Sequence, residues 1–244
     1  MLRHKANCLI CGSELKYTTA YRPVICALCG QKFDANVQCI QGHYICDACH
    51  SLPANDFIAR FCIASELKDP VEQAVALMRD SRIAMHGPEH HFLVPAVLLS
   101  VYYNVMGNQT AKEEKIKIAQ KRAANVLGGF CGFYGDCGAA VGVGIFISVM
   151  TGATPLSTKE WRLSNLATGR SLITIAENGG PRCCKRNSFL AIYEAGEFVK
   201  EQFGVALPVN DTVKCEFTDL NKQCIKEKCL YYKENNKKEF RRTR

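Results

Sequence analysis

"GAAVGVGIFISVM", residues 138–150, is the longest apolar run in the chain, and its reading decides the fold. Its thirteen residues fall short of the roughly 20 that a membrane helix needs. The run therefore predicts a helix buried in a protein core and not a span. Each glycine inside a helix costs about 1 kcal/mol relative to alanine, and Gly138, Gly142 and Gly144 all stand near its start. Something must come close to the bare backbone to offset that cost, either neighbouring helices or a cofactor. The run is expected to be the central helix.

Helix punctuation continues on both sides of it. Asp69-Pro70-Val71-Glu72 reads as a capping box opening a helix to about Asp80. Pro88 begins another, kinked at Pro95 and stopped by Gly107. "TAKEEKIKIAQKRAANVL" (110–127) runs to Gly128-Gly129, Ser157 with Glu160 caps a helix that stops at Gly179-Gly180, and Asn187 or Ser188 caps the last, which stops at Gly204. No alternating strand pattern shows between Phe57 and Gly204. The expected fold is mainly α: a helical body over 56–207, a small N-terminal module over 1–55 and a basic, cysteine-containing tail over 208–244.

Fifteen cysteines in 244 residues, an odd number, cannot all pair as disulfides. The chain opens without a secretory signal pattern, and the expectation is a reducing cytoplasm in which clustered cysteines bind metal or react. The N-terminal module holds "CLIC", "CALC", "CIQGH" and "CDAC". Cys8, Cys11, Cys26, Cys29, Cys39, His43, Cys46 and Cys49 make eight ligands, enough for two tetrahedral zinc ions. Two groupings are open. A cross-braced one joins Cys26, Cys29, Cys46 and Cys49 around one ion and Cys8, Cys11, Cys39 and His43 around the other; a sequential one builds a zinc ribbon from Cys8, Cys11, Cys26 and Cys29 and a compact site from the rest. "GHYICDAC" resembles the GH-x-x-C-x-x-C element of RING modules, and "CALCGQKF" followed by "GHYICDACH" resembles treble clefs, which favours the cross-brace. So small a module has little core, and metal should supply most of its folding free energy.

Charge is unevenly spread. Residues 222–244 hold nine Lys/Arg against three Glu, and the net charge of the whole chain is +8. "KKEFRRTR" at the C-terminus is expected either to be a solvated end or to contact RNA or a protein partner. No membrane contact is expected.

Three stretches break local helix rules: "MHGPEHH" (85–91), "GGFCGFYGDCGAA" (128–140) and "GGPRCCKRN" (179–187). The last two set cysteine in a glycine-rich turn before a helix, where unpaired N–H groups and the helix dipole favour thiolate. Lys185 and Arg186 act in the same sense. "GG-x-C-x5-C-G-A-A", "TGATP" (151–155) and "CCKRNSFLAI" together resemble the iron–sulfur L-serine dehydratase α domain and, more broadly, the cysteine desulfidases. The chain as a whole resembles an uncharacterised prokaryotic family with "HGPEHH" and "GGPRCCKR" motifs. The dehydratase resemblance implies a [4Fe–4S] cluster held by three cysteines, with one iron open to a small carboxylated substrate. Cys131 and Cys183 match two ligands, while Leu172 stands where the relative has a third. Cys137, Cys184, or Cys215, Cys224 and Cys229 are then the candidates to complete the set, the last three reading equally as a zinc site clasping the tail. His86, His90 or His91 would serve as general base, with Asp136 and Glu177 as weaker candidates, and Lys185 and Arg186 would attract the carboxylate. Cys62 reads as core.

Overall fold

The computed structural model describes residues 8, 10, 11, 13–46, 49 and 53–235. Two antiparallel strands, β1 (Leu15–Ile25) and β2 (Lys32–Cys39), form a hairpin with a register shift between Tyr17 and Arg22. Among the described residues this is the whole of the sheet structure. Its turn is the Cys26–Cys29 knuckle, where Gly30 takes φ +68° and donates to the Cys26 carbonyl. Before residue 50 the buried apolar side chains described are Val24, Leu28, Ala35 and Ile45, together with five cysteines. The interior of the hairpin region is thus built largely from its own candidate ligands.

Eight helices are described after it. They are α1 (Ala54–Ala64), α2 (Pro70–Met78), α3 (Glu89–Met106), α4 (Gln109–Ala123), the one-turn α5 (Phe130–Phe133), α6 (Gly138–Thr151), α7 (Lys159–Glu177) and α8 (Cys184–Phe203). The architecture is mainly α, with a small N-terminal hairpin beside a helical bundle. No described helix is long and apolar enough to cross a membrane.

The apolar run is indeed central, since α6 packs against α3, α4, α7 and α8. Its glycines face neighbouring helices. A Cβ on Gly142 would lie 2.8 Å from Pro95 Cδ and 3.1 Å from the His91 carbonyl oxygen of α3; one on Gly144 would lie 2.0 Å from Thr168 Oγ1 of α7. Pro95 has no N–H to give His91, so that carbonyl lies free of its helical donor at the closest approach. Helix-on-helix packing, and not a cofactor, is what these two bare positions accommodate.

Asp69 caps α2 as expected, accepting from the Val71 and Glu72 amides at 2.8 and 3.2 Å. Three boundaries differ from expectation. The α8 helix begins at Cys184 and its N-cap is Cys183, whose sulfur accepts the Arg186 amide at 3.5 Å in place of the oxygen that Asn187 or Ser188 would have offered. Ser157 does not box with Glu160, because its hydroxyl accepts the Thr154 amide at 3.0 Å instead. The α4 helix ends at Ala123, four residues before Leu127. Helix α1, opened by Pro53, is an addition to the pattern read from sequence. The segment after α8 is irregular apart from two 3-10 turns, Thr218–Leu220 and Lys226–Lys228. Of the basic tail, residues 236–244 lie outside the described residues.

Candidate metal centres

In the hairpin region the chain doubles back so that its four two-ligand units alternate. Cys8, Cys11, Cys39 and His43 form one group and Cys26, Cys29, Cys46 and Cys49 another, with the ligand atoms of each group all within 4.8 Å of one another. The grouping is the interleaved one, not the sequential. In the first group Cys11 Sγ is 3.8 Å from Cys39 Sγ and 3.3 Å from His43 Nδ1, which lies 3.5 Å from Cys39 Sγ. In the second, Cys29 Sγ and Cys46 Sγ are 3.9 Å apart. A tetrahedron with metal–sulfur bonds of about 2.3 Å has sulfur–sulfur edges of about 3.8 Å. Both groups therefore have the size of a single-ion site.

Local backbone geometry fixes each knuckle. Cys46 donates its amide to Cys26 Sγ at 3.4 Å, and the His43 amide points at Cys39 Sγ at 3.2 Å. Burial alone would raise every thiol, yet within each group the thiols diverge. The Cys11 thiol, despite burial, is brought down to about 6 by hydrogen bonds from Ser13 and His43, and Cys26 to about 7 by amides of Cys46, Cys29 and Leu28. Burial and the neighbouring thiols push Cys8 and Cys49 up to about 12. One thiolate forms readily and the next is opposed by it, an imbalance that a divalent cation removes. Arg60 Nη1 stands 3.9 Å from Cys49 Sγ, and Arg82 donates to the Cys49 carbonyl at 2.6 Å, tying this group to the body.

The body gathers further thiols at the starts of α6 and α8. Cys137 and Cys183 are the N-caps of those two helices, and Cys131 lies on α5. Asn187 of α8 donates to Cys137 Sγ at 3.4 Å, which joins the two starts. The Cys184 thiol is pushed up to about 11, first by burial, against the Gly87 amide and with the neighbouring Cys137, Cys183 and Cys131 thiols adding to the rise. All four of these sulfurs are thus electrostatic neighbours. Among the described residues, however, only the two N-terminal groups bring three or more ligands within 4.8 Å. Cys62 is core, fully buried under α3, with its carbonyl accepting from Ser100 at 2.7 Å.

The three histidines part company because α3 begins only at Glu89. His86 lies in the preceding turn with Nε2 3.2 Å from Asn221 Oδ1, so the C-terminal segment reaches it. His90 is 1% exposed; its Nδ1 donates to the Gly87 carbonyl at 3.1 Å, and its Nε2 is buried without a partner. Burial first, then the nearby Lys185 charge, holds this imidazole well below its usual pKa and therefore neutral. His91 donates from Nδ1 to the Val126 carbonyl at 2.8 Å, and its ring covers Gly138, where a Cβ would lie 2.1 Å from the ring carbon.

Lys185 is 1% exposed, donates to the Ile83 carbonyl at 3.2 Å and lies 5.0 Å from the centre of the Phe217 ring. Burial lowers its pKa to about 8 against the attraction of Glu89. Arg186 turns back on its own turn, with Nη2 donating to the Gly179 and Pro181 carbonyls at 2.6 and 3.0 Å, so that group is engaged in holding the turn. Asp136 donates its amide to the Phe130 carbonyl, and Glu177 lies exposed at the end of α7. Asn187 and Asn221 carry no site signal in the sequence, although they donate to the sulfurs of Cys137 and Cys183. An asparagine carries no spacing signal of its own, and only the fold brings residue 221 to residues 86 and 183.

No curated protein and no solved structure matches the chain. A family model described as a family of unknown function, DUF5714, matches residues 58–232, from within α1 into the C-terminal segment. With 175 of the 244 residues matched, the chain belongs to this family.

Proposed function

We propose that this is a metal-binding protein in which two zinc ions fold the N-terminal hairpin, and in which the thiols of the helical body serve a non-redox lyase or desulfidase-like reaction on a small carboxylated or thiol substrate. The interleaving of two ligand groups of single-ion size carries the metal reading. Seven thiols and one imidazole are soft to borderline donors, which favour zinc over magnesium or calcium. Each group offers four protein ligands and leaves no open position, so these ions serve folding and not catalysis. Free thiols at all fifteen cysteines suit a reducing compartment, the cytoplasm. Elemental analysis tests this directly: Cys11→Ser and Cys29→Ser should each lose one zinc per chain, and retention of full zinc in both would refute it.

Support for the catalytic part comes from a buried neutral His90 with an unpartnered Nε2, held at Nδ1 by Gly87, whose own amide faces Cys184. A cubane cluster spreads its thiolates more widely than a single ion does; Cys131 and Cys137 have the right donor type for one, with Cys184 as third ligand in place of Cys183, the residue that the dehydratase resemblance matches, because the Cys183 sulfur caps α8. When bound, such a [4Fe–4S] cluster supplies a Lewis-acidic iron for a leaving hydroxyl or thiol. The chain's own contribution is then positional. His90 Nε2 would take the substrate α-proton, the C–H bonding pair would form the new double bond, and the C–O or C–S bond would break with its electron pair leaving on the hydroxide or hydrosulfide. Lys185, still protonated at neutral pH, draws the carboxylate. Anaerobic protein that is brown, with matched iron and sulfide, is the expected result; colourless protein after reconstitution removes the cluster and the reaction with it.

A second reading has the hairpin and tail as a contact surface for RNA or a protein partner. It is favoured by the exposed Tyr17, Tyr21 and Ile25 beside Arg22 on β1. Salt-dependent retention on RNA that is lost on deleting residues 233–244 would support it.

A further inference from the structure

Beyond the two N-terminal groups and the α6–α8 thiols, four cysteines border one partly open cavity: Cys183 from the start of α8 and Cys215, Cys224 and Cys229 from the irregular C-terminal segment. The space measures about 20 Å³, room for a single ion- or water-sized occupant. We propose that these four thiolates hold one divalent metal ion of the zinc class, which clasps the C-terminal segment onto the helical body. Adjacent cysteines thereby serve different centres, Cys183 facing this cavity and Cys184 facing Cys137.

The local backbone argues for it. In the N-terminal groups, amides two or three residues ahead point back at the sulfurs: Ser13 at Cys11, Leu28 at Cys26 and Gln31 at Cys29. The same turn recurs around the C-terminal cavity. Phe217 donates its amide to Cys215 Sγ and Lys226 to Cys224 Sγ, both at 3.4 Å; the Tyr231 amide points at Cys229, and Arg186 donates to Cys183 at 3.5 Å. Asn221 adds a side-chain donor 3.7 Å from Cys183 Sγ. Amides so arranged stabilise thiolates, and thiolates brought together without a cation repel one another.

Two further observations point to an occupant. Among the described residues Lys226 is the non-glycine residue with positive φ, +46°, and it is this residue's amide that faces Cys224. Tyr231 lines the cavity at 5% exposure with its hydroxyl buried and unpartnered. The four sulfurs are not drawn in to 4.8 Å as the N-terminal groups are, so the ion would pull the C-terminal turns inward. The consequence reaches the body, because the clasped segment carries Phe217 over Lys185 and Asn221 to His86. The inference stands apart from the lyase reading, which uses Cys131, Cys137 and Cys184.

Metal content and thiol labelling of the full chain test it. Metal-replete protein should carry one zinc beyond the two of the hairpin, Cys224→Ser and Cys229→Ser should each lose one equivalent, and Cys184→Ser should keep all the zinc. Hydrogen exchange should quicken over residues 213–232 in the two tail variants and stay slow over α3 and α6. Should those variants misfold, alkylation of the unaltered protein decides: Cys183, Cys215, Cys224 and Cys229 should resist until a chelator is added and then react together. Free alkylation of Cys224 and Cys229 in metal-replete protein, full zinc retention in both tail variants, a Cys224–Cys229 disulfide, or iron with matching sulfide lost from them would each overturn the proposal.

Discussion

His90 shows how much chemistry one burial decision imposes. Enclosed at 1% exposure beside Lys185, it folds only as the neutral imidazole. In the unfolded chain a histidine titrates at about 6.5, so below that pH the unfolded state binds a proton that the folded state refuses. Stability contributed by the neutral form is complete above about pH 6.5 and is lost as pH falls, at a slope approaching about 1.4 kcal/mol per pH unit. Urea denaturation at pH 7.5 and 5.5 should therefore show a larger acid loss in the wild type than in His90→Gln, by about 1 kcal/mol. Comparing the two proteins cancels the proton dependence of any bound metal. Arg186 is the second residue whose role its neighbours decide. Truncating Arg186→Met strips two carbonyls of the Gly179–Pro181 turn of their donor and should lower stability by about 2–4 kcal/mol in the same assay. From sequence the arginine reads as a carboxylate anchor, because its charge is visible there and its hydrogen-bond partners are not.

At the level of elements, α6 sits where two neighbours, α3 and α7, come too close for side chains. Gly142→Ala would push a methyl to 2.8 Å from the rigid Pro95 ring and 3.1 Å from a backbone oxygen, and overpacking of about 1–3 kcal/mol should outweigh the gain in helix propensity. Gly169 of α7 provides the opposite case, with open space where its Cβ would go and an ordinary helical φ. Gly169→Ala should stabilise by about 1 kcal/mol, so that the two melting temperatures move in opposite directions. Glycine density in 138–144 does announce a close approach, and the sequence leaves two candidates for it, a cofactor or a helix. The choice falls to α3 and α7, which no local pattern could name. Helix starts show the same limit. Asp69 is legible as a cap because carboxylates cap often, whereas Cys183 is not, because a thiol caps only where its sulfur has already been turned toward an amide.

The whole molecule couples two kinds of stability. The helical bundle has an aliphatic and aromatic core in which Phe57, Phe92, Phe146, Phe189 and Phe198 are fully buried, and the hairpin has little besides its ligands. Chelation at neutral pH should therefore melt 13–46 while sparing α3, α6 and α8, which hydrogen exchange resolves by segment and far-UV circular dichroism registers as a small change. Global unfolding on chelation would show instead that the body depends on the ions. The identity of the N-terminal ligands and six of the eight described helices follow from the sequence, because two-residue cysteine spacing, capping signals and 3.6-residue periodicity are local properties of a chain. Which cysteines share a site is a matter of loop closure over twenty to a hundred residues. Three-dimensional structure decides the alternation of N-terminal pairs that the RING-like spacing only favours, makes Cys183 the cap of α8, and lays Phe217 and Asn221 over Lys185 and His86. Short-range chemistry writes itself into residue types, but convergence depends on how helices pack, and packing is settled by the shapes of surfaces far apart in the sequence.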